Sequence, residues 1–135
     1  MHGTHNADVV RMAIRDFGSL CFVRAENESA PRDVVMLVRQ MGTGGVLKLQ
    51  RHLPFLDAGS VPAGADWGYG LMLSEDAPEG MRDTTRLTIT ESSGETWTCE
   101  AARPVHDIDP QTRAKIVAAW RLALRGTQRM TGGPR

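Results

Sequence analysis

"DPQTRAKIVAAWRLALRG", residues 109–126, is the stretch whose reading decides the fold. It opens with the chemistry of a helix start. Asp109 can serve as N-cap, Pro110 suits the first helical position, and Gly126 can close the element. Its Ala, Leu and Arg are good helix formers. Yet Ile116, Ala118, Trp120, Leu122 and Leu124 alternate strictly with Val117, Ala119, Arg121, Ala123 and Arg125, which is the period of a strand. Local chemistry leaves helix and strand both open.

Working outward, "RLTITESSGETWTCEAA" (86–102) is the clearest hairpin in the chain. Leu87 and Ile89 alternate with Thr88 and Thr90, and Ser92-Ser93-Gly94-Glu95 makes the turn. Trp97 and Cys99 then face one way and Thr96, Thr98 and Glu100 the other. "YGLMLSED" (69–76) reads as a strand, as do "SLCFVRAE" (19–26) and "RDVVMLVRQM" (32–41). "VLKLQRHL" (46–53) alternates less cleanly, and Gly42-Thr43-Gly44-Gly45 would join it to the strand before it. "PFLDAGSVPAGADWGYG" (54–70) holds four glycines, two prolines, Trp67 and Tyr69, and reads as a long central loop. Loops of this length tend to be functional or disordered.

At the front, "NADVVRMAIRDFG" (6–18) predicts a short amphipathic helix over 7–17. Asn6 suits the N-cap and Asp8 the first turn. Val9, Ala13 and Phe17 share one face, with Val10 and Ile14 beside them. Gly18 can supply a left-handed stop. The tail, 127–135, is polar and expected to be flexible.

The 135 residues suit a single domain, with a β-rich core over 19–125, and can bury one core without disulfides or metal. One helix followed mostly by strands predicts a mainly β fold, a small antiparallel sandwich or barrel with the helix packed on it. Lys plus Arg equals Asp plus Glu at 16 each, which argues against bulk attraction to nucleic acid or anionic membrane. No apolar run approaches the roughly 20 residues of a membrane-spanning helix, and the first residues carry no apolar signal region. Cys21 and Cys99 read as two free thiols of a cytosolic chain.

Around residues 94–109 a cysteine, a histidine and several carboxylates crowd together, which raises the question of a metal or catalytic site. A zinc site needs about four ligands at suitable spacing. Here there is no CxxC, no HxxxH and no second histidine nearby. Cys99 falls with the apolar set, and His106 and Asp107 fall beyond Pro104, past the expected strand end. Nothing in the pattern activates Cys21 or Cys99 as a thiolate beside His52 or His106. "GTGG" lacks the Lys-Ser/Thr of a phosphate loop. The residues therefore point to no enzyme, no metal and no cofactor.

What remains is surface for protein contact. Trp67 and Tyr69, with Phe55, Leu56 and Val61 in the same segment, form one candidate; the arginines Arg113, Arg121, Arg125, Arg129 and Arg135 form another. Aromatics and Arg are favoured at interface hot spots. The alternative for Trp67 and Tyr69 is that they fold back as a lid on the core.

Taken together, residues 7–126 resemble the small head–tail joining proteins of long-tailed bacteriophages, also called head-completion, stopper or neck proteins. The likeness is carried by the short helix ending in "DFG" and by the pair "RDVVMLVRQM" and "VLKLQRHL" with its long following loop. The hairpin "GMRDTTRLTITESSGETWTCEAARPV" and the closing "IVAAWRLALRG" complete it. Where that family usually carries Gly-Asp before the hairpin strand, Asp83-Thr84-Thr85 stands here. The resemblance implies that 109–126 ends as a strand. It also implies a virion protein, made in the host bacterial cytoplasm, whose copies form a ring of about six or twelve. That ring would meet the portal or a head–tail adaptor on one side and the tail terminator or tail tube on the other. Packaged DNA would pass its lumen without sequence-specific binding, which suits a neutral chain. The loop would order on binding and so restrain free subunits from premature association. The alternatives are a tail-terminator or minor tail protein, or a small ligand-binding β-barrel.

Overall fold

Residues 109–126 divide between a turn and a strand. The helix-start chemistry is spent on the turn: the Asp109 carboxylate accepts from the Gln111 backbone N–H at 2.8 Å. The Asp109 carbonyl accepts from the Arg113 N–H at 2.8 Å, and the Asp109 N–H donates to the Ala114 carbonyl at 2.8 Å. Arg113 takes the left-handed conformation, φ 62°, that reverses the chain. The alternation then wins over helix propensity, and Lys115–Gly126 is a strand.

In the computed structural model of the chain, the residues described are 6–42 and 66–126. The elements are α1 (Asn6–Phe17), β1 (Ser19–Ala25), β2 (Arg32–Gly42), β3 (Trp67–Leu73), β4 (Leu87–Glu91), β5 (Thr96–Ile108) and β6 (Lys115–Gly126). A single turn of 3₁₀ helix, Ser74–Asp76, follows β3. The strands close into an antiparallel barrel in the order β1-β2-β3-β6-β5-β4, so the mainly β barrel with a short N-terminal helix is the fold. The expected strand 46–53, the connection through residues 43–45 and the tail 127–135 lie outside the described residues.

Alternation fills the barrel. Trp97, Met36, Met72, Leu122, Leu124, Val23 and Ile89 point inward and are at most 1% exposed. At β3 the inward positions are Gly68, Gly70 and Met72. A Cβ at Gly68 would stand 3.1 Å from the Trp97 ring, and one at Gly70 would stand 3.0 Å from Leu124. The glycines thus make room for large side chains of β5 and β6 rather than loosening a loop. This corrects the reading of 54–70 as one loop: β3 begins at Trp67, and 54–65 lies outside the described residues.

Outside the barrel α1 forms a second layer. Val10 and Ile14 are buried against Leu71, Leu73 and Ala119. Strand β6 is covered on both faces, which explains its composition: Trp120, Leu122 and Leu124 fill the interior, and Ala119 lets the helix approach closely. The helix face differs from the one expected. Val9 is 51% exposed and Phe17 72% exposed, because the buried stripe runs through Val10 and Ile14.

Gly18 ends α1 for a steric reason rather than a left-handed turn. Its N–H still bonds the Ile14 carbonyl at 2.7 Å. A Cβ there would fall well inside contact distance of that same oxygen and 3.1 Å from the Met36 carbonyl. Both obstacles are backbone, so neither can rotate away. Gly18→Ala is expected to cost about 1–3 kcal/mol by overpacking, read as a lowered urea midpoint at unchanged m-value. An unchanged midpoint would show that the α1–β1 corner yields freely.

Candidate functional site

The cysteine, histidine and carboxylates of residues 94–109 lie along one long strand. β5 runs through Pro104 to Ile108, correcting the expectation that the strand ends before His106. Pro104 is tolerated because β4 pairs with β5 only over Thr96–Thr98. The β4-side edge of β5 therefore asks no N–H of Pro104. A β-bulge follows between Val105 and His106.

Past the bulge the strand serves the helix. The Asp107 carboxylate accepts from the backbone N–H groups of Asn6 at 2.8 Å and Ala7 at 3.0 Å. The Asn6 side-chain amide donates to the His106 carbonyl at 2.8 Å. Asp107 thus neutralises the first unpaired donors of α1 and places a negative charge at the positive end of its dipole. Asp107→Ala is expected to destabilise the protein by about 1–2 kcal/mol. Asp107→Asn should cost less, and faster amide exchange confined to α1 would separate cap loss from a general loosening.

Cys99 is sealed in the core at 1% exposure, and its thiol lies 3.4 Å from the Ala101 carbonyl. Burial pushes its pKa up to about 12; a nucleophilic cysteine needs the opposite shift. Among the described residues no group of three or more His, Cys, Asp or Glu side chains is placed to hold a metal ion. No described helix is long and apolar enough to cross a membrane.

The expected interface residues fall in different surroundings. Trp67 is 2% exposed on β3, and its indole N–H has no hydrogen-bond partner among the described residues. Tyr69 is partly buried and packs with the α1 layer, and burial raises its pKa despite nearby Arg121. Neither ring stands on an open loop. Arg121 lies opposite Arg103 on β5, and Arg125 pairs with Glu100 at 3.2 Å. Phe55, Leu56, Val61 and Arg129 lie outside the described residues.

The open apolar surface lies elsewhere. Leu20 (41% exposed), Phe22 (38%) and Val35 (51%) stand on the outer wall of β1 and β2. Leu20 and Val35 are cross-strand partners. Phe17 leads into them from the end of α1. On β1, "SLCFVRA" is apolar at Leu20, Cys21, Phe22 and Val23 alike. A barrel strand has one inward face, so the excess of apolar positions was the signal available in the sequence. A second set, Ile108 (53%), Ile116 (44%) and Val117 (36%), flanks the β5–β6 turn. An open groove of about 440 Å³ beside α1, lined in part by Asp8, Arg11 and Met12, lies outside the barrel. An exposed Arg11–Glu75 ion pair ties the helix to the 3₁₀ turn after β3.

Comparison with family models, with curated proteins and with solved structures found no match to this chain.

Proposed function

We propose that this chain is a structural assembly protein, a component of the neck of a long-tailed phage, whose copies form a ring joining the DNA-filled head to the tail. The observation that carries the reading is the outward apolar wall of Leu20, Phe22 and Val35 on a barrel whose interior is already filled. Exposed apolar groups that do not serve the chain's own core mark contact surfaces. The filled barrel also weighs against the ligand-binding alternative, since Trp97, Met36, Met72, Leu122 and Leu124 occupy the space a ligand would need. The sequence resemblance supplies the particular assembly: portal or adaptor above, tail terminator or tube below, and DNA passing through.

The test is sedimentation across concentration, with the protein alone, with DNA-filled tail-less heads, and with isolated tails. Rings together with binding to heads are the expected result. Binding to tails alone would move the chain to a tail-terminator role. Indifference to both would overturn the neck reading.

A further inference from the structure

Two exposed apolar patches lie on different strands of the barrel. In the closed order β1-β2-β3-β6-β5-β4, strand β1 stands three places from β6 in either direction. The wall patch is Leu20, Phe22 and Val35, with Asp33 directly opposite Phe22 on the neighbouring strand. These side chains share the outer face because their neighbours Cys21, Val23, Val34 and Met36 point into the core.

The other patch is carried on an arm. β6 pairs with β3 only from Ala119 onward, so residues 115–117 have β5 as their one strand partner among the described residues and the β5–β6 ribbon runs on past the β3 pairing. Ile108 is opposite Lys115, and Val117 is opposite His106. With a strand period of two, Ile108, Val117 and Lys115 occupy one face of the ribbon. Asp107 occupies the other face, where it holds the N-terminus of α1. The cap thereby fixes the direction of the arm. Among the described residues neither Asp33 nor Lys115 takes part in an ion pair.

We propose that the β5–β6 arm of one copy docks on the β1–β2 wall of the next, setting Ile108 and Val117 against Leu20, Phe22 and Val35 and bringing Lys115 to Asp33. The occupant is a second copy of this chain because the patches match in chemistry: each is apolar, and one bears a cation and the other an anion with no ion-pair partner among the described residues. Burial at such a seam desolvates the pair, and opposite charges then fix register and partner. Two different patches on one chain make a head-to-tail contact, which closes into a ring or extends as a filament according to its rotation. A chain with zero net charge adds no bulk repulsion between copies. This inference rests on the ring reading above and specifies the surfaces that build it.

The test uses the full chain with one lesion per patch. Phe22→Glu should disable the wall and Ile108→Glu the arm; both positions are exposed, so both variants should keep the parent's melting temperature. Each alone should sediment as a monomer. Mixed, they should give a 1:1 dimer that grows no further, because only one intact wall and one intact arm remain between them. Asp33→Lys and Lys115→Asp should each weaken self-association about tenfold or more, and together restore it to within about threefold. A parent chain monomeric at every concentration, a mixture that stays monomeric, or a mixture that grows past the dimer would overturn the contact. Oligomers with this behaviour that ignore phage heads would leave the contact standing and remove the neck assignment.

Discussion

Replacing Trp97 by alanine is expected to destabilise the barrel by about 3–5 kcal/mol, the usual cost of deleting a large buried aromatic. Trp97 is 1% exposed, and its ring reaches Gly68 on β3, where it would meet an added Cβ. Without the ring Gly68 faces an empty volume that no short side chain can fill. A second loss accompanies the first. The indole N–H donates to the Glu91 carboxylate at 2.7 Å, so truncation also removes a partner from a half-buried acid. Trp97→Phe separates the two effects: most of the ring remains and the hydrogen bond is lost, for about 1–3 kcal/mol. For a domain of this size the alanine variant should melt on the order of 10–20 °C lower. A melting temperature within a few degrees of the parent would mean that the β3–β5 packing is slack and that the glycines have another cause.

The 86–102 hairpin was legible because turn chemistry and period agreed: Ser92 to Glu95 turn the chain, and Trp97 and Cys99 point inward as their alternation requires. Residues 109–126 were ambiguous because two signals lay end to end. Asp109 and Pro110 belong to a turn, and the same residue types that cap helices also close turns. The alanines of β6 read as helix formers, yet Ala119 is small because α1 lies on it. That packing joins residues over a hundred positions apart and leaves no local trace.

The same limit explains Trp67 and Tyr69. Glycines at 68 and 70 look like loop residues until the Trp97, Leu122 and Leu124 side chains they accommodate are in place. On α1, Val9, Val10, Ala13, Ile14 and Phe17 compete for one stripe, and only the barrel surface decides that Val10 and Ile14 are buried and Val9 and Phe17 are not. Of the candidate interface, the arginines and aromatics stand out in the sequence by residue type alone. The Leu20, Phe22 and Val35 wall does not, because apolar strand residues ordinarily belong to a core. Asp107 carried no signal of its role, since the helix it caps begins about a hundred residues earlier in the chain.

The protein is expected to lose stability steeply in alkali. The Cys99 thiol ionises at the ordinary 9.0 in an unfolded chain and is pushed up to about 12 by burial in the folded one. A thiol that keeps its proton to higher pH when folded contributes stability fully below the unfolded value. That stability is lost as the pH rises towards the folded value, because the unfolded chain sheds the proton first. A gap of about 3 units corresponds to about 4 kcal/mol at its full extent. Burial shifts Cys21 and Tyr69 in the same direction, so the three effects add rather than cancel. Urea midpoints measured from pH 7 to 12 should hold level to about pH 9 and then fall. Cys99→Ala should start lower, for the lost packing, and fall less steeply, keeping the part of the slope due to Cys21 and Tyr69. A thiol reagent should leave Cys99 unmodified at pH 8 until the chain unfolds. Parallel pH curves for parent and variant would mean that Cys99 meets water before the barrel unfolds and that burial does not hold its proton.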